Sequence, residues 1–195
     1  MEKKEDRRVV RSKEALKQAL LNLMARKEYE AISITEIVEL ANYNRGTFYS
    51  HYGNKDDLLD DIIAELIREL LASFRAPYEN EDVFIISELT AKSVMIFEHV
   101  HLNANVYTTL LRSNVIANLR EKMFLALKQI SMDELVHVDN GINPELLAIY
   151  SIHALLGLIF HWVEGGFKYA PSYMQEQLIM IINWRPSEAR TNRKK

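Results

Sequence analysis

The stretch SITEIVELANYNRGTFYSHYGNKDDLL, Ser33 to Leu59, carries a chain of local start and stop signals that decide the fold. Ser33 followed by Glu36 has the spacing of a capping box, in which the hydroxyl and the carboxylate each satisfy a backbone N–H of the other. The helix it starts is short and ends near Ala41. Asn42-Tyr43 is then a turn, and Asn is the non-glycine residue best able to adopt the left-handed conformation there. Asn44 is placed to cap a second short helix reaching about Tyr52. Gly53 stops it, and Asn54 with Asp57 caps a third. The acids Asp56 and Asp57 suit that helix N-terminus. An amphipathic stripe of Ala15, Leu16, Ala19, Leu20, Leu23 and Met24 precedes the stretch. Together these elements predict a helix-turn-helix unit.

Working outward, the apolar spacing stays helical. Leu58, Leu59, Ile62, Ile63, Leu66, Ile67 and Leu70 form a second stripe with acids between, on a connecting helix from Asn54 to Phe74. Further helices are predicted at about Asp82–Leu102, Val106–Arg112, Val115–Val136, Pro144–Glu164 and Pro171–Asn183. Pro77, the run Asn140-Gly141-Ile142-Asn143-Pro144, Gly165-Gly166 and Pro171 mark the breaks. The expectation is an all-α chain of about nine helices without an internal repeat.

Charge is unevenly distributed. The 195 residues carry a net −3, yet residues 1–55 hold 11 Lys+Arg against 8 Asp+Glu, so that the N-terminal quarter is basic on an acidic body. That asymmetry is a weak pointer to an anionic partner. The absence of cysteine excludes disulfides, thiolate zinc sites and a CxxC redox pair. MEKKEDRRVV has no apolar run after its charges, so it does not read as a signal peptide. Leu146 to Val163 is 18 residues without formal charge, but acids flank it and no Lys or Arg anchors lie nearby. It reads as a helix buried in a core or subunit interface rather than a membrane span.

Within the second short helix, Phe48 and Tyr52 lie four apart on one face, suited to packing on Leu20, Leu23 and Ile37. Arg45, Thr47, Tyr49, Ser50 and His51 are left outward or sideways. A solvated helix face is the plain alternative. Against it, burial gives no reason to line up Tyr43, Tyr49 and His51 beside a filled face, and these are short or rigid donors suited to phosphates and base edges. Lys55 adds a charge expected to seek phosphate. No Gly-rich phosphate loop, Gly-x-Ser-x-Gly elbow or His-Glu-x-x-His occurs, so no enzyme is expected. His99 and His101 are two apart, and Asp133 with His137 lacks a third ligand, so neither a metal nor a cofactor is expected.

The same stretch resembles the N-terminal signature of the tetracycline-repressor (TetR/AcrR) family of bacterial regulators, over about residues 8–70. A Thr/Ser-started helix, a tight turn, a Gly-Thr-aromatic-Tyr segment and a Lys-acid-Leu-Leu helix start follow in the family's order. Asn42 stands where Gly is usual, Tyr52 where Phe is commoner, and Asp56 where Glu is usual. The resemblance implies an N-terminal DNA-binding unit over residues 1–55. A helical effector-binding and dimerisation body would cover 56–184, with 56–74 as the connecting helix, and a basic tail 185–195. It assigns DNA contacts to Ser33, Thr35, Tyr43, Asn44, Arg45, Gly46, Thr47, Tyr49, Ser50, His51 and Lys55. Arg45 would read a base or hold a phosphate, and Lys3–Arg11 forms either a backbone-tracking arm or a solvated helix face.

For the body, the resemblance implies an unknown small-molecule effector, with Met95, Phe97, His99, Tyr107, Phe124, His153 and Trp162 as candidate pocket residues. It also implies a homodimer through the Pro144–Glu164 and Pro171–Asn183 helices. The partner is double-stranded DNA carrying a palindromic operator, the location cytoplasmic, and the expected role that of a repressor released by effector. The rival expectation is a helical interaction protein or co-activator acting through a protein partner.

Overall fold

The computed structural model describes residues 7–81, 85, 88–135 and 141–184. Parts of several sequence expectations lie outside these residues: the Lys3–Arg11 arm before Arg7, the start of the Asp82–Leu102 helix, Val136, His137 and the basic tail.

Among the described residues the chain forms nine α-helices: α1 (Arg7–Met24), α2 (Ile34–Leu40), α3 (Arg45–Tyr49), α4 (Lys55–Arg75), α5 (Ile96–Leu102), α6 (Ala104–Arg112), α7 (Ile116–Glu134), α8 (Pro144–Glu164) and α9 (Pro171–Asn183). Single 3-10 turns occur at Tyr29–Ala31 and Ala91–Ser93. The caps are those the sequence specifies. Ser33 and Glu36 complete the capping box of α2, and Asn44 and Asn54 accept the Thr47 and Asp57 N–H groups at the starts of α3 and α4. Asn143 caps α8 with Pro144 in its first turn. Asn42 takes the left-handed conformation at φ 58°.

α1 buries Leu16, Ala19, Leu20 and Met24 against α2 and α4. α4 is the element shared by the two halves of the molecule. It packs on α1, α5 and α7 and buries Leu58, Leu59, Ile62, Ile63, Leu66 and Leu70. α1 also touches α6, so the N-terminal unit is braced on the body at a second place. α8 packs on α6 and α7 through Ile152, Leu155, Ile159 and Trp162, while α9 rests on α5.

One expected helix is much shorter. Of Asp82–Leu102, only Ile96–Leu102 is α-helical among the described residues. The Ser93 hydroxyl donates to the Thr90 carbonyl at 2.8 Å, a local bond that competes with helix propagation. The Val94 carbonyl is taken by the buried Gln175 side chain of α9 at 2.9 Å. Tertiary packing thus overrides the periodicity.

α8 also departs from a helix buried all round. Its inner face is closed, but Leu146 and Tyr150 are 64% and 74% exposed. On α9, Met180 is 65% exposed, and Trp184 just beyond that helix is 69% exposed. α8 is long and apolar enough to cross a membrane by length and composition, with 39% of the span buried within the chain along its inner face.

Between α4, α5 and α6 lies a buried polar cluster. His99 Nε2 meets the Tyr107 hydroxyl at 3.1 Å, and Asn103 bonds the His99 carbonyl at 3.1 Å. Burial lowers the His99 pKa to about 4, against about 6.5 in an unfolded chain. The unfolded form therefore binds more protons between those values, so stability is lost as pH falls through that window. His99→Gln should flatten this part of the profile relative to the wild type, as read by urea unfolding at stepped pH. An unchanged difference across the window would contradict the burial argument.

Candidate nucleic-acid interface

The geometry of α3 begins with its buried face. Phe48 is fully enclosed and Tyr52 nearly so, their rings 5.8 Å apart. Backbone bonds continue to Tyr52, whose N–H donates to the Phe48 carbonyl at 2.9 Å. The Tyr52 hydroxyl donates to Asp61 on α4 at 2.8 Å. Asp61 in turn pairs with Lys17 of α1 at 3.2 Å. Partial burial opposes the Lys17 charge, but Glu65 and Asp61 more than offset it and hold its pKa above the ordinary value. A tyrosine at this position therefore ties α3, α4 and α1 together, which phenylalanine cannot do.

Asp56 has a similar explanation. It accepts the Tyr29 hydroxyl at 2.6 Å, and burial together with that carboxylate raises the Tyr29 pKa. Lys55 is the clearest correction. Its ammonium does not stand free for a phosphate; it donates to the carbonyls of Tyr29 at 2.7 Å and Ile32 at 2.9 Å, and lies 4.2 Å from the Tyr29 ring centre. The ammonium converges on the end of the Tyr29–Ala31 turn, adding a second donor to the Tyr29 carbonyl that already accepts the Ile32 N–H at 3.1 Å. Lys55 is a clamp between that turn and α4.

The remaining expected contact residues fall into two groups. Several already serve the fold. The Ser33 hydroxyl is held in the capping box, and Asn44 Oδ1 accepts from Thr47 N–H at 2.9 Å. The Ser50 hydroxyl donates to the Thr47 carbonyl at 2.7 Å. An added Cβ at Gly46 would sit 3.1 Å from Asn44 Oδ1, so glycine there protects the cap. His51 is half-buried, its Nε2 2.7 Å from the Ser12 hydroxyl of α1. The others stay outward. Tyr49 is 55% exposed with its ring edge-on to Phe48, Tyr43 is exposed beside the turn, and Arg45 is exposed with one guanidinium nitrogen donating to the Thr35 hydroxyl. The product is a ridge of one guanidinium, two phenols and short hydroxyls on a rigidly mounted helix.

Sequence reading missed the supports: Ser12, Tyr29, Lys17 and Asp61. Ser12 had a usable signal, since a buried polar residue continues the apolar stripe of α1.

None of the seven candidate pocket residues lines either of the two clefts described for this chain. Phe97 and Trp162 meet edge to face at 5.7 Å in the core, and His99 is bonded to Tyr107. Phe124 and His153 contact each other at 4.4 Å on another side, and Met95 is exposed. These rings close on one another, so the expectation of a common lining is corrected. A cleft of about 450 Å³ lies instead between α4 and α7, with Ile67, Leu71 and Leu125 in its lining. Two of its cations are already paired, Arg75 with Glu134 and Lys122 with Asp60, each at 2.6 Å.

A short helix-turn-helix mounted on an all-helical body defines a class of DNA-binding regulators. Comparison with known proteins agrees. Residues 16–62 match the model of bacterial regulatory proteins of the tetR family, and residues 87–183 match a TetR-type transcriptional regulator C-terminal region. The chain is 29% identical over 184 residues to the HTH-type transcriptional regulator YxbF of Bacillus subtilis, covering 93% of this chain but 47% of that protein. The chain thus spans about half the length of that relative. Among solved structures, the fatty acid degradation regulator FadR from Bacillus halodurans superposes with a TM-score of 0.66 at 17% identity, over 92% of this chain and 96% of that one. The dihydroxyacetone kinase operon activator DhaS gives 0.61 at 14% identity, over 88% and 93%. The chain belongs to the TetR family of bacterial transcriptional regulators.

Reassigning Lys55 has a measurable consequence. Lys55→Met should lower the unfolding free energy by about 1.5–3 kcal/mol, the range for hydrogen bonds to charged groups, as read by urea denaturation. The salt slope of DNA binding should stay as in the wild type. A slope shallower by about one unit would return Lys55 to the phosphate contacts.

Proposed function

We propose that this regulator binds a palindromic operator as a homodimer, is released by a small-molecule effector acting on its body, and represses transcription in the cytoplasm. The observation that carries the DNA reading is the outward ridge of α3, where Arg45, Thr47 and Tyr49 stand clear of a face already filled by Phe48 and Tyr52. A helix so mounted enters a major groove with its N-terminal residues toward base edges. Arg45 pairs bidentately with a guanine, held in register by its bond to Thr35. Residues 1–55 form the DNA-binding unit, 56–184 the effector-binding and dimerisation body, and Tyr43, Tyr49 and His51 contact phosphates.

The outward apolar stripe of α8 and α9 supports dimerisation, since two copies of it make a four-helix bundle with two-fold symmetry. α4 transmits the effector signal because it packs on both the N-terminal unit and the body. An effector that prefers one orientation of the two α3 helices lowers affinity for a fixed half-site spacing.

His51 is held against α1 by Ser12. The Ser12 O–H donates to the Arg8 and Val9 carbonyls at 3.0 Å, so its oxygen accepts from His51 Nε2–H.

Gel-shift with the DNA beside the protein's own gene tests the central claim, and absence of any specifically bound fragment at moderate salt contradicts it. Arg45→Ala should cost about 1–3 kcal/mol and relax base preference at one position of each half-site. Tyr150→Asp should yield monomers in sedimentation with the helical circular-dichroism signal retained; a persistent dimer would place the interface elsewhere. A reporter fixes the sign of regulation: deletion of the gene raises expression under repression, whereas activation, the role named for DhaS, predicts a fall.

A further inference from the structure

A second cleft, of about 370 Å³, lies where α1 of the N-terminal unit meets the start of α6 in the body. Gln18 and Asn22 line it from α1, and Asn103, Asn105, Thr108 and Thr109 line it from the α5–α6 junction and α6. Leu21 and Val106 supply an apolar floor. No Asp, Glu, Lys or Arg belongs to the lining. The cleft also joins the two regions matched by separate family models, residues 16–62 and 87–183.

Much of the hydrogen-bonding capacity in this cleft is uncommitted. Among the described residues, the side chains of Asn105, Thr108 and Thr109 bond no protein group. Gln18 and Asn22 bond each other through one donor and one acceptor at 3.1 Å, leaving Gln18 Oε1 and Asn22 Nδ2. Asn103 directs its Nδ2 inward, to the His99 carbonyl at 3.1 Å and toward Glu69 Oε2 of α4 at 3.4 Å. Its Oδ1 remains to accept from an occupant. Paired donors and acceptors without a formal charge match hydroxyls and amides. An ion placed there would lose hydration with no countercharge to offset it.

We propose that this cleft binds an uncharged small molecule bearing several hydroxyl or amide groups, such as a neutral sugar or a nucleoside. The occupant bridges the N-terminal unit and the body, and Asn103 reports it to α4 through Glu69. This deepens the effector-responsive reading given above and rests on it. A ligand held by both α1 and α6 favours whichever orientation of the two brings them to its own span, and that preference is what shifts operator affinity. The route differs from one through a cavity inside the body, because here the ligand itself touches α1, the helix that supports α3.

The test uses the full-length protein without DNA and four probes: trehalose, uridine, trehalose 6-phosphate and uridine 5′-monophosphate. Saturation-transfer NMR and titration should show binding of at least one uncharged probe, with its phosphorylated counterpart about tenfold weaker or more. Which of the two uncharged probes binds distinguishes a sugar from a nucleoside. The double substitution Asn105→Leu, Thr109→Val should weaken binding about tenfold by removing two hydrogen-bonding side chains. Its melting temperature and probe-free operator affinity should stay as in the wild type. Thr108→Val serves as a second, milder variant. Glu69→Ala should bind the probe normally while losing the probe's effect on operator affinity. The proposal is overturned if no probe binds at millimolar concentration, if phosphorylated and uncharged probes bind equally, or if binding survives the double substitution. Failure of the operator reading would appear separately, in the probe-free gel-shift, and leaves the NMR result intact.

Discussion

The enclosure of Phe48 is the constraint on which the rest depends. A helix as short as α3 has little stability of its own, because nucleation cost falls on very few backbone bonds. Burying the Phe48 ring completely, with Tyr52 beside it, supplies the missing free energy and also fixes the rotation of the helix about its axis. Once that rotation is fixed, Arg45, Thr47 and Tyr49 have only one side on which to lie. The contact surface is therefore a consequence of core packing.

Polar contacts then make the mount rigid. Tyr52 reaches Asp61, Asp61 reaches Lys17, and His51 reaches Ser12, so α3 is tied to α4 and α1 at separate points. Lys55 and Asp56 do the same for the turn before α2 through Tyr29. Tyr52, Ser12 and Tyr29 are buried, but the charged groups in these ties, Asp61, Lys17, Lys55 and Asp56, keep contact with solvent, where ion pairs contribute little individually. Their value lies in geometry: a recognition helix displaced by a fraction of its own width would miss base edges it is meant to meet. The departures from the common family pattern, Tyr52 and Asp56, each gain a specific partner in this chain.

α4 connects this mount to the body. It carries the partners of Tyr52 and Tyr29, Asp61 and Asp56, and it also packs on α5 and α7. Glu69, past the middle of this helix, lies within reach of Asn103 and 3.8 Å from His99. A buried imidazole kept neutral, a fully buried phenol and a carboxamide at the α5–α6 junction meet where the body touches the helix that leads to α3. Polar groups in such a place raise the stakes of any small movement, since an unpaired buried donor or acceptor is costly.

What the sequence alone determined was everything set within a few residues. The capping box at Ser33, the left-handed Asn42, the caps at Asn44 and Asn54, and the inward pair Phe48 and Tyr52 depend on contacts between near neighbours, which spacing exposes directly. The long, periodic helices α4, α8 and α9 were legible for the same reason. Tertiary structure decided the partners separated by many residues. Lys55 reads as a free cation until the Tyr29 turn arrives beside it, and His51 reads as an outward donor until Ser12 occupies one of its nitrogens. Phe97, His99, Tyr107, Phe124, His153 and Trp162 have the composition of a pocket, yet whether aromatic rings enclose a space or close on each other depends on helix placement. The late start of the expected Asp82–Leu102 helix, at Ile96, likewise goes with a distant partner, Gln175, taking the Val94 carbonyl across 81 positions. Periodicity records which face of an element is apolar; it carries no record of which distant group will meet it.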